Sequence, residues 1–336
     1  MTLILGIESS CDETAAAIVD DKRRILANVV RSQTEAHAPY GGVVPEIAAR
    51  SHIEWMQPVL SQALNEAGVR LSDVDAIAAT AGPGLIGGVI VGLMTAKTLA
   101  SVAKKPLIAV NHLEGHALTV RLSDGLAYPY LLLLVSGGHC QFVRVDGLGQ
   151  YHILGGTIDD ALGEAFDKCA KMMGLGYPGG AVIERLAHSG NAQAFDLPRP
   201  LSGSKDCNFS FSGLKTAIRY QLAPLAPLSD AVKADMAASF QRTVIAILEE
   251  KVTQAFGQCA EAMPLVIAGG VAANQAIKAA MQTLCESLGT RCIVPPPSLC
   301  TDNAAMIAWA GLERFQSGLV DPLTVEPRAR WPLSSL

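Results

Sequence analysis

Aromatic residues make up only 5% of this 336-residue chain. Charged residues make up 17%, below the ~25% usual in globular chains. The charge that is present nearly cancels: 26 Lys and Arg stand against 31 Asp and Glu, a net of −5. That balance excludes a protein that coats nucleic acid by bulk electrostatics, so any RNA contact has to be a local patch or a partner's contribution. The eight cysteines, at positions 11, 140, 169, 207, 259, 285, 292 and 300, form no CxxC pair. A zinc site built on thiolates is therefore not expected, and the cysteines read as reduced thiols of a cytoplasmic protein. The first residues have an apolar stretch but no basic region and no small-residue cleavage site, and Glu8 follows at once, so no secretory signal is expected. G-x-x-x-x-G-K-[ST] is absent: Gly82-Pro83-Gly84-Leu85-Ile86-Gly87 lacks the lysine that a phosphate-binding loop of that type needs.

Half of the residues are hydrophobic, and Gly 31 and Pro 18 supply many tight turns. The length suggests about two domains with a core each. Residues 76–96 carry no charge, enough to raise a membrane span, but Gly82-Pro83-Gly84 divides them into a strand and a buried helix. The chain is expected to be soluble, with no membrane partner.

The first 20 residues read as a β-hairpin: the apolar run Leu3-Ile4-Leu5-Gly6-Ile7, the polar turn Glu8-Ser9-Ser10-Cys11-Asp12-Glu13, then residues 14–19. The plan returns at 130–145, where an apolar run, the small turn Ser136-Gly137-Gly138-His139 and an alternating strand follow one another. Two copies of one hairpin, half a chain apart, imply a duplicated α/β domain. Between and after them helix and strand patterns alternate. Helices are expected over 45–67, 85–103, 159–173, 228–258, up to 288 and over 302–315, and strands over 74–80, 107–110, 265–268 and 291–294. That alternation fits a mixed or parallel sheet covered by helices.

His112 and His116 stand four apart directly after an apolar strand, a spacing that places both imidazoles on one helix face. Spacing alone leaves two readings: a shared metal, or a helix start with two partly exposed histidines. The zinc-peptidase reading fails, because the acid is Glu114, at ~200° around the helix from His112, and not the residue beside it. Asp302 opens the last expected helix; it is either the N-cap or the carboxylate of a two-histidine, one-carboxylate site. Ser136-Gly137-Gly138 and Ala268-Gly269-Gly270 are places where backbone can approach a ligand, the second at a helix N-terminus. Each is equally a plain tight turn. Asp167 lies on a polar helix stripe that an i,i+4 pair such as Glu164 with Lys168 explains, or it contacts a ligand hydroxyl. In residues 208–216 aromatic and hydroxyl residues alternate: two buried phenylalanines on an edge strand, with Lys215 as a candidate phosphate contact.

Taken together, these segments resemble one family, the bacterial tRNA N6-adenosine threonylcarbamoyltransferase catalytic subunit. The matching stretches are residues 6–14, Tyr40-Gly41-Gly42-Val43-Val44-Pro45-Glu46, 80–85, 112–116, 134–139, 159–168, Tyr177-Pro178-Gly179-Gly180, 209–216, 268–274 and 300–306, in order along nearly the whole chain. Cys140 and Asn111 are small departures from the family pattern. The resemblance implies the duplicated α/β fold of actin and the sugar kinases, with two lobes each built on a mixed sheet flanked by helices. The expected lobes are 1–110 plus 302–336, and 111–301, with the active site in the cleft between them. It also implies one divalent metal, iron(II) with zinc(II) as the alternative, on His112, His116 and Asp302. Substrate-binding positions carried over are Leu134, Val135, Ser136, Gly137, Gly138, Asp167, Gly180, Glu184 and Asn274. No catalytic acid or base follows from the pattern, although Asp12 and Glu13 are candidates for proton or partner work.

The implied reaction moves the threonylcarbamoyl group of threonylcarbamoyl-AMP to the N6 amine of adenosine 37 in tRNAs that read codons beginning with adenine. The implied partners are tRNA, a noncatalytic paralogue of the same fold and a small P-loop ATPase. Two alternatives stand beside this: an ATP-dependent kinase or carbamoyltransferase of the same fold, binding ATP or ADP, and a noncatalytic paralogue scaffold, which would lack the three metal residues.

Overall fold

The computed structural model describes all residues, Met1–Leu336. They divide into two compact units, Met1–Ala127 with Leu148–Gln150 and Thr301–Leu336, and Tyr128–Gly147 with Tyr151–Cys300. The first unit takes in residues 111–127, which the division expected from sequence assigned to the second lobe.

The first unit is built on β1 (Leu3–Glu8), β2 (Glu13–Asp20), β3 (Ile25–Ser32), β4 (Ala76–Gly82) and β5 (Leu107–Asn111), in the order β3-β2-β1-β4-β5. β1 runs antiparallel to β2 and parallel to β4, and β4 is parallel to β5. Every residue of β1 is buried, as expected of a central strand covered on both faces. Leu3, Leu5 and Ile7 join the apolar cluster that also contains Met56, Val59, Leu60, Leu93 and Ala96, from the helices Pro45–Ala67 and Ile86–Ala103. The helix Ala304–Gln316 packs on the sheet and on the helix His112–Ser123. The helix Ile86–Ala103 is long and apolar enough to cross a membrane by length and composition alone. Here it lies against β4 and the helix Pro45–Ala67, with Val89, Leu93, Ala96 and Ala100 buried.

The second unit repeats the plan with β6 (Tyr130–Val135), β7 (Cys140–Gly147), β8 (Gln150–Gly156), β9 (Leu265–Ala268) and β10 (Cys292–Ile293). Its order, β8-β7-β6-β9-β10, matches the first sheet strand for strand: an antiparallel hairpin, then parallel strands on the other side of the hairpin's first strand. The duplication expected from the two hairpins is thus present in the topology. Its core joins Leu131, Leu133 and Val135 to Phe142, Phe166, Phe209, Phe211 and Phe240. Phe209 and Phe211 are both buried, with Phe209 in an isolated bridge to Thr157. The covering helices are Leu162–Met172, Gly180–Ala187, Ser212–Leu222, Asp230–Gly257 and Gln275–Ser287. All eight cysteines are free thiols.

Candidate metal centre and glycine-lined face

In the first unit β5 runs straight into the helix His112–Ser123, whose N-cap is Asn111: its side chain accepts a hydrogen bond from the backbone N–H of Leu113 at 2.9 Å. Asn111 also donates through Nδ2 to the carbonyl of Trp331. The helix phase puts His112 and His116 side by side, with ring centroids 4.8 Å apart and planes at 88°. Both are buried. Glu114, on the other side of the helix, is buried against Arg314 at 3.2 Å, in a structural ion pair away from the histidines.

Asp302 arrives from the far end of the chain because the helix Ala304–Gln316 sits unusually close to β1. A Cβ on Gly6 would lie 2.4 Å from the carbonyl oxygen of Ala304, and one on Gly115 would lie 2.8 Å from Ile307 Cδ1. At Gly6, against backbone, only glycine permits the approach. The cap of this helix is Asn303, whose side chain accepts from the N–H of Met306, and not Asp302, which sequence had offered as a cap. Asp302 Oδ1 lies 3.1 Å from His116 Nε2 and 3.5 Å from His112 Nε2. One donor atom from each of the three residues lies within 4.8 Å of the others.

This donor set fits a divalent transition metal. Ligands at ~2.1 Å from a tetrahedral ion lie about 3.4 Å apart, close to the two separations from Asp302; the widest pair, at up to 4.8 Å, would close by a small side-chain rotation. Two imidazoles and one carboxylate suit iron or zinc, leaving positions for substrate. The fit extends outward. Glu8 Oε2 accepts from His112 Nδ1 at 2.9 Å, which leaves Nε2, on the side of Asp302 and His116, as the nitrogen that a cation would take in place of its proton. Glu8 is itself held by Thr80 Oγ1 at 2.7 Å and the N–H of Ser10 at 2.5 Å, and Ser10 Oγ lies 3.0 Å from His112 Nδ1. His116 Nδ1 is buried without a protein partner.

The electrostatics without a cation show how strongly negative the spot is. Burial opposes protonation of His112, but the carboxylates of Asp302 and Glu8 outweigh it and raise its pKa to about 9. Burial pushes Glu13 up to about 9 as well, helped by the charges of Asp302, Asp12 and Glu8. Glu8 goes the other way: burial raises it, and its contacts with His112 and Thr80 leave it lowered. Glu8 is the residue that sequence reading passed over as part of a polar turn. Its signal was a lone carboxylate at the end of a strand otherwise wholly apolar.

In the second unit, the carried-over positions form a continuous band. Leu134 and Val135 end β6, and the N–H of Gly163, in the helix Leu162–Met172, donates to the carbonyl of Ser136 at 3.1 Å. One turn along that helix, Asp167 Oδ1 accepts from the N–H of Gly179 at 2.7 Å, beside Gly180 at the start of the next helix. One turn further, Glu184 Oε1 accepts from the N–H of Gln275 at 2.7 Å. Asn274 caps the helix Gln275–Ser287 through the N–H of Ile277 and donates to Gln241 Oε1. Ser136, Gly137, Gly138 and Gly180 bring backbone to this band; a Cβ at Gly137, Gly138 or Gly180 would meet nothing within 4 Å. Lys168 pairs with both Glu164 and Asp160, so the expected i,i+4 pair is present.

Comparison with solved structures defines the class first. The chain is similar to component A of the (R)-2-hydroxyglutaryl-CoA dehydratase of Acidaminococcus fermentans, with a TM-score of 0.56 and 16% identity over 94% of this chain and 99% of that one. It is also similar to HypF of T. kodakarensis, with a TM-score of 0.59 and 14% identity over 95% of this chain and 48% of that one. At such identities the likeness concerns the fold alone, which is the duplicated actin-like and sugar-kinase-like α/β fold. Sequence relatives narrow it further. The family described as tRNA N6-adenosine threonylcarbamoyltransferase matches residues 24–309. The proteins of that name from Brucella anthropi and Rhizobium etli are 60% and 58% identical, over 98% and 99% of this chain and 95% and 94% of their own lengths. This chain belongs to the tRNA N6-adenosine threonylcarbamoyltransferase family, and its class is that of a transferase.

Proposed function

We propose that this chain transfers the threonylcarbamoyl group of threonylcarbamoyl-AMP to the N6 amine of adenosine 37, beside the anticodon, in tRNAs that read codons beginning with adenine. The observation that carries the reading is the convergence of His112, His116 and Asp302, backed by Glu8, in a member of this family. The amine nitrogen attacks the acyl carbon of the mixed anhydride, the bond from that carbon to the phosphate oxygen breaks, AMP leaves with the bonding pair, and the amine gives up a proton. The amine is a poor nucleophile because its lone pair is delocalised into the ring. A divalent ion held by His112, His116 and Asp302, iron(II) with zinc(II) as the alternative, would supply Lewis acidity toward the carbamoyl oxygen.

The protein's own groups do the rest. Glu8 and Ser10 hold the His112 ring in one orientation. The backbone at Leu134, Val135, Ser136, Gly137 and Gly138 and at Gly180 receives the adenylate, with Asp167, Glu184 and Asn274 as its polar contacts. Asp167 and Glu184 spend one carboxylate oxygen each on backbone N–H groups, which fixes the orientation of the second. The reaction takes place in the cytoplasm, with a noncatalytic paralogue of the same fold and a small P-loop ATPase as partner subunits. The net charge of −5 fits a chain that binds tRNA weakly by itself.

His112→Ala and Asp302→Ala should each lower transfer by about a thousandfold or more and release the metal, with the fold retained. Metal content, circular dichroism and transfer of labelled threonine to tRNA check this together. Full transfer by a metal-free variant would refute the mechanism.

A further inference from the structure

The segment 197–222 departs from the acidic character of the chain. Arg199, Lys205, Lys215 and Arg219 stand against the single carboxylate of Asp206, a local charge of +3 in a protein of −5. Three of the segment's features bear on what that charge does. None of the four reaches a carboxylate at ion-pair distance, although the charge of Arg199 acts on Glu250, and all four residues are exposed. The nearby carboxylates are already occupied: Asp159 accepts from Ser210, Phe211 and Ser212, and Glu250 accepts from Ser202 and Gly203. The segment is also rigidly mounted, since Phe209 and Phe211 are in the core and Lys251 Nζ donates to the carbonyls of Leu201 and Asp206 and to Ser204 Oγ.

On the helix Ser212–Leu222 the outward residues are Ser212, Lys215, Thr216, Arg219 and Tyr220. Lys215 and Arg219 are one turn apart, about 6 Å along the axis, which is comparable to the spacing of successive phosphates on an RNA strand. Tyr220 is 67% exposed, with the Arg219 guanidinium 5.4 Å from its ring centre. Cations at phosphate spacing, hydroxyls between them and an exposed ring for base stacking are what a single-stranded nucleic-acid surface needs. The helix packs against Leu162–Met172, the helix that carries Asp167.

We infer that the exposed face of the helix Ser212–Leu222, extended by Arg199 and Lys205, is the surface on which this chain holds the phosphate backbone of its RNA. The inference deepens the proposed tRNA reading and rests on it for the identity of the RNA. A protein partner would need an apolar centre, and this face offers only Tyr220. Its polar and cationic remainder matches a polyanion.

The test is tRNA binding by the full chain together with its partner subunits, followed by fluorescence anisotropy from low to moderate salt. The wild type is compared with Lys215→Glu/Arg219→Glu and with the milder Lys215→Gln/Arg219→Gln. Both variants should melt with the wild type and keep its metal. The charge reversal should weaken binding by about tenfold or more, and each lost cation should lower the slope of log K against log salt by about one. Unchanged affinity and slope in both variants overturns the inference. So does unchanged tRNA binding with loss of the partner subunits, which would assign the face to a protein. Transfer by the same wild-type complex is scored separately: patch-dependent binding without transfer supports the surface and refutes the proposed reaction.

Discussion

The two units share one strand order but spend their polar residues differently. The turn that joins β1 to β2 carries Glu8, Ser10, Asp12 and Glu13, and its carboxylates are buried or half-buried beside two histidines. The equivalent turn between β6 and β7 is Ser136-Gly137-Gly138-His139, with a Ser136 hydroxyl that accepts from the N–H of His139. One scaffold position thus gathers acidic side chains in the interior, and the other leaves open space over its two glycines. The strands that run parallel beside the two hairpins match in one further respect. β4 ends at Gly82, φ +139°, where a Cβ would lie 2.0 Å from the carbonyl oxygen of Arg328; β9 is followed by Gly269, φ +94°, where it would lie 2.4 Å from that of Val135. The two glycines stand two residues apart in strand register and meet different neighbours, the C-terminal segment at Gly82 and the hairpin's first strand at Gly269.

That division can be broken most sharply at the paired glycines. Gly82→Ala and Gly269→Ala should each cost about 3 kcal/mol, because the positive φ and the blocked Cβ act together, and thermal melting reads this loss. Gly269→Ala should in addition raise the KM for threonylcarbamoyl-AMP, since it displaces Val135 and Ser136; an equal rise in Gly82→Ala would erase the distinction between the units. Next in size is Glu8→Gln, which should weaken metal affinity about 10–100-fold in a chelator competition and leave donor KM unchanged.

A smaller effect concerns pH. His112 and Glu13 both hold their protons to about pH 9 in the metal-free folded chain, against ordinary values of 6.5 and 4.5. The unfolded chain binds fewer protons in that interval, so the metal-free protein should lose stability as pH rises from about 5 to 9. Urea midpoints across that range check it, and Glu13→Gln should flatten the curve. A rising curve would contradict the proton assignment. The smallest expected change is at the caps: Asn303→Ala in the first unit and Asn274→Ala in the second should each cost about 1–2 kcal/mol, since each side chain caps its helix and also donates, to the carbonyl of Thr301 and to Gln241 Oε1. An unchanged melting temperature in either variant would mean that its cap contributes nothing.

What sequence made visible follows from signal strength. The helix Pro45–Ala67 and the strand Leu265–Ala268 fall where periodicity placed them, because long amphipathic and fully buried runs leave little ambiguity. β3 and β8 were not read: both mix exposed and buried positions without clean alternation. Asp159 was expected to open a helix, yet that helix starts at Leu162, and Asp159 instead receives the hydroxyls and N–H groups at the start of Ser212–Leu222. A capping partner some fifty residues away leaves no local pattern. At 302–303 two good capping residues stand side by side, and only the packing of the helix on β1 decides that Asn303 takes the role. The histidine pair was legible by spacing; its meeting with Asp302 depends on contacts at Gly6 and Gly115 that no periodicity encodes.

That Asn303, and not Asp302, caps the helix bears on how the proposed ion would be acquired. The helix start is secured by an amide that needs no cation, and the His112 ring is already oriented by Glu8 and Ser10. Loading therefore need not drive folding. An ion at the proposed site would then be exchangeable in the finished protein, and its identity would follow cellular supply as much as coordination preference.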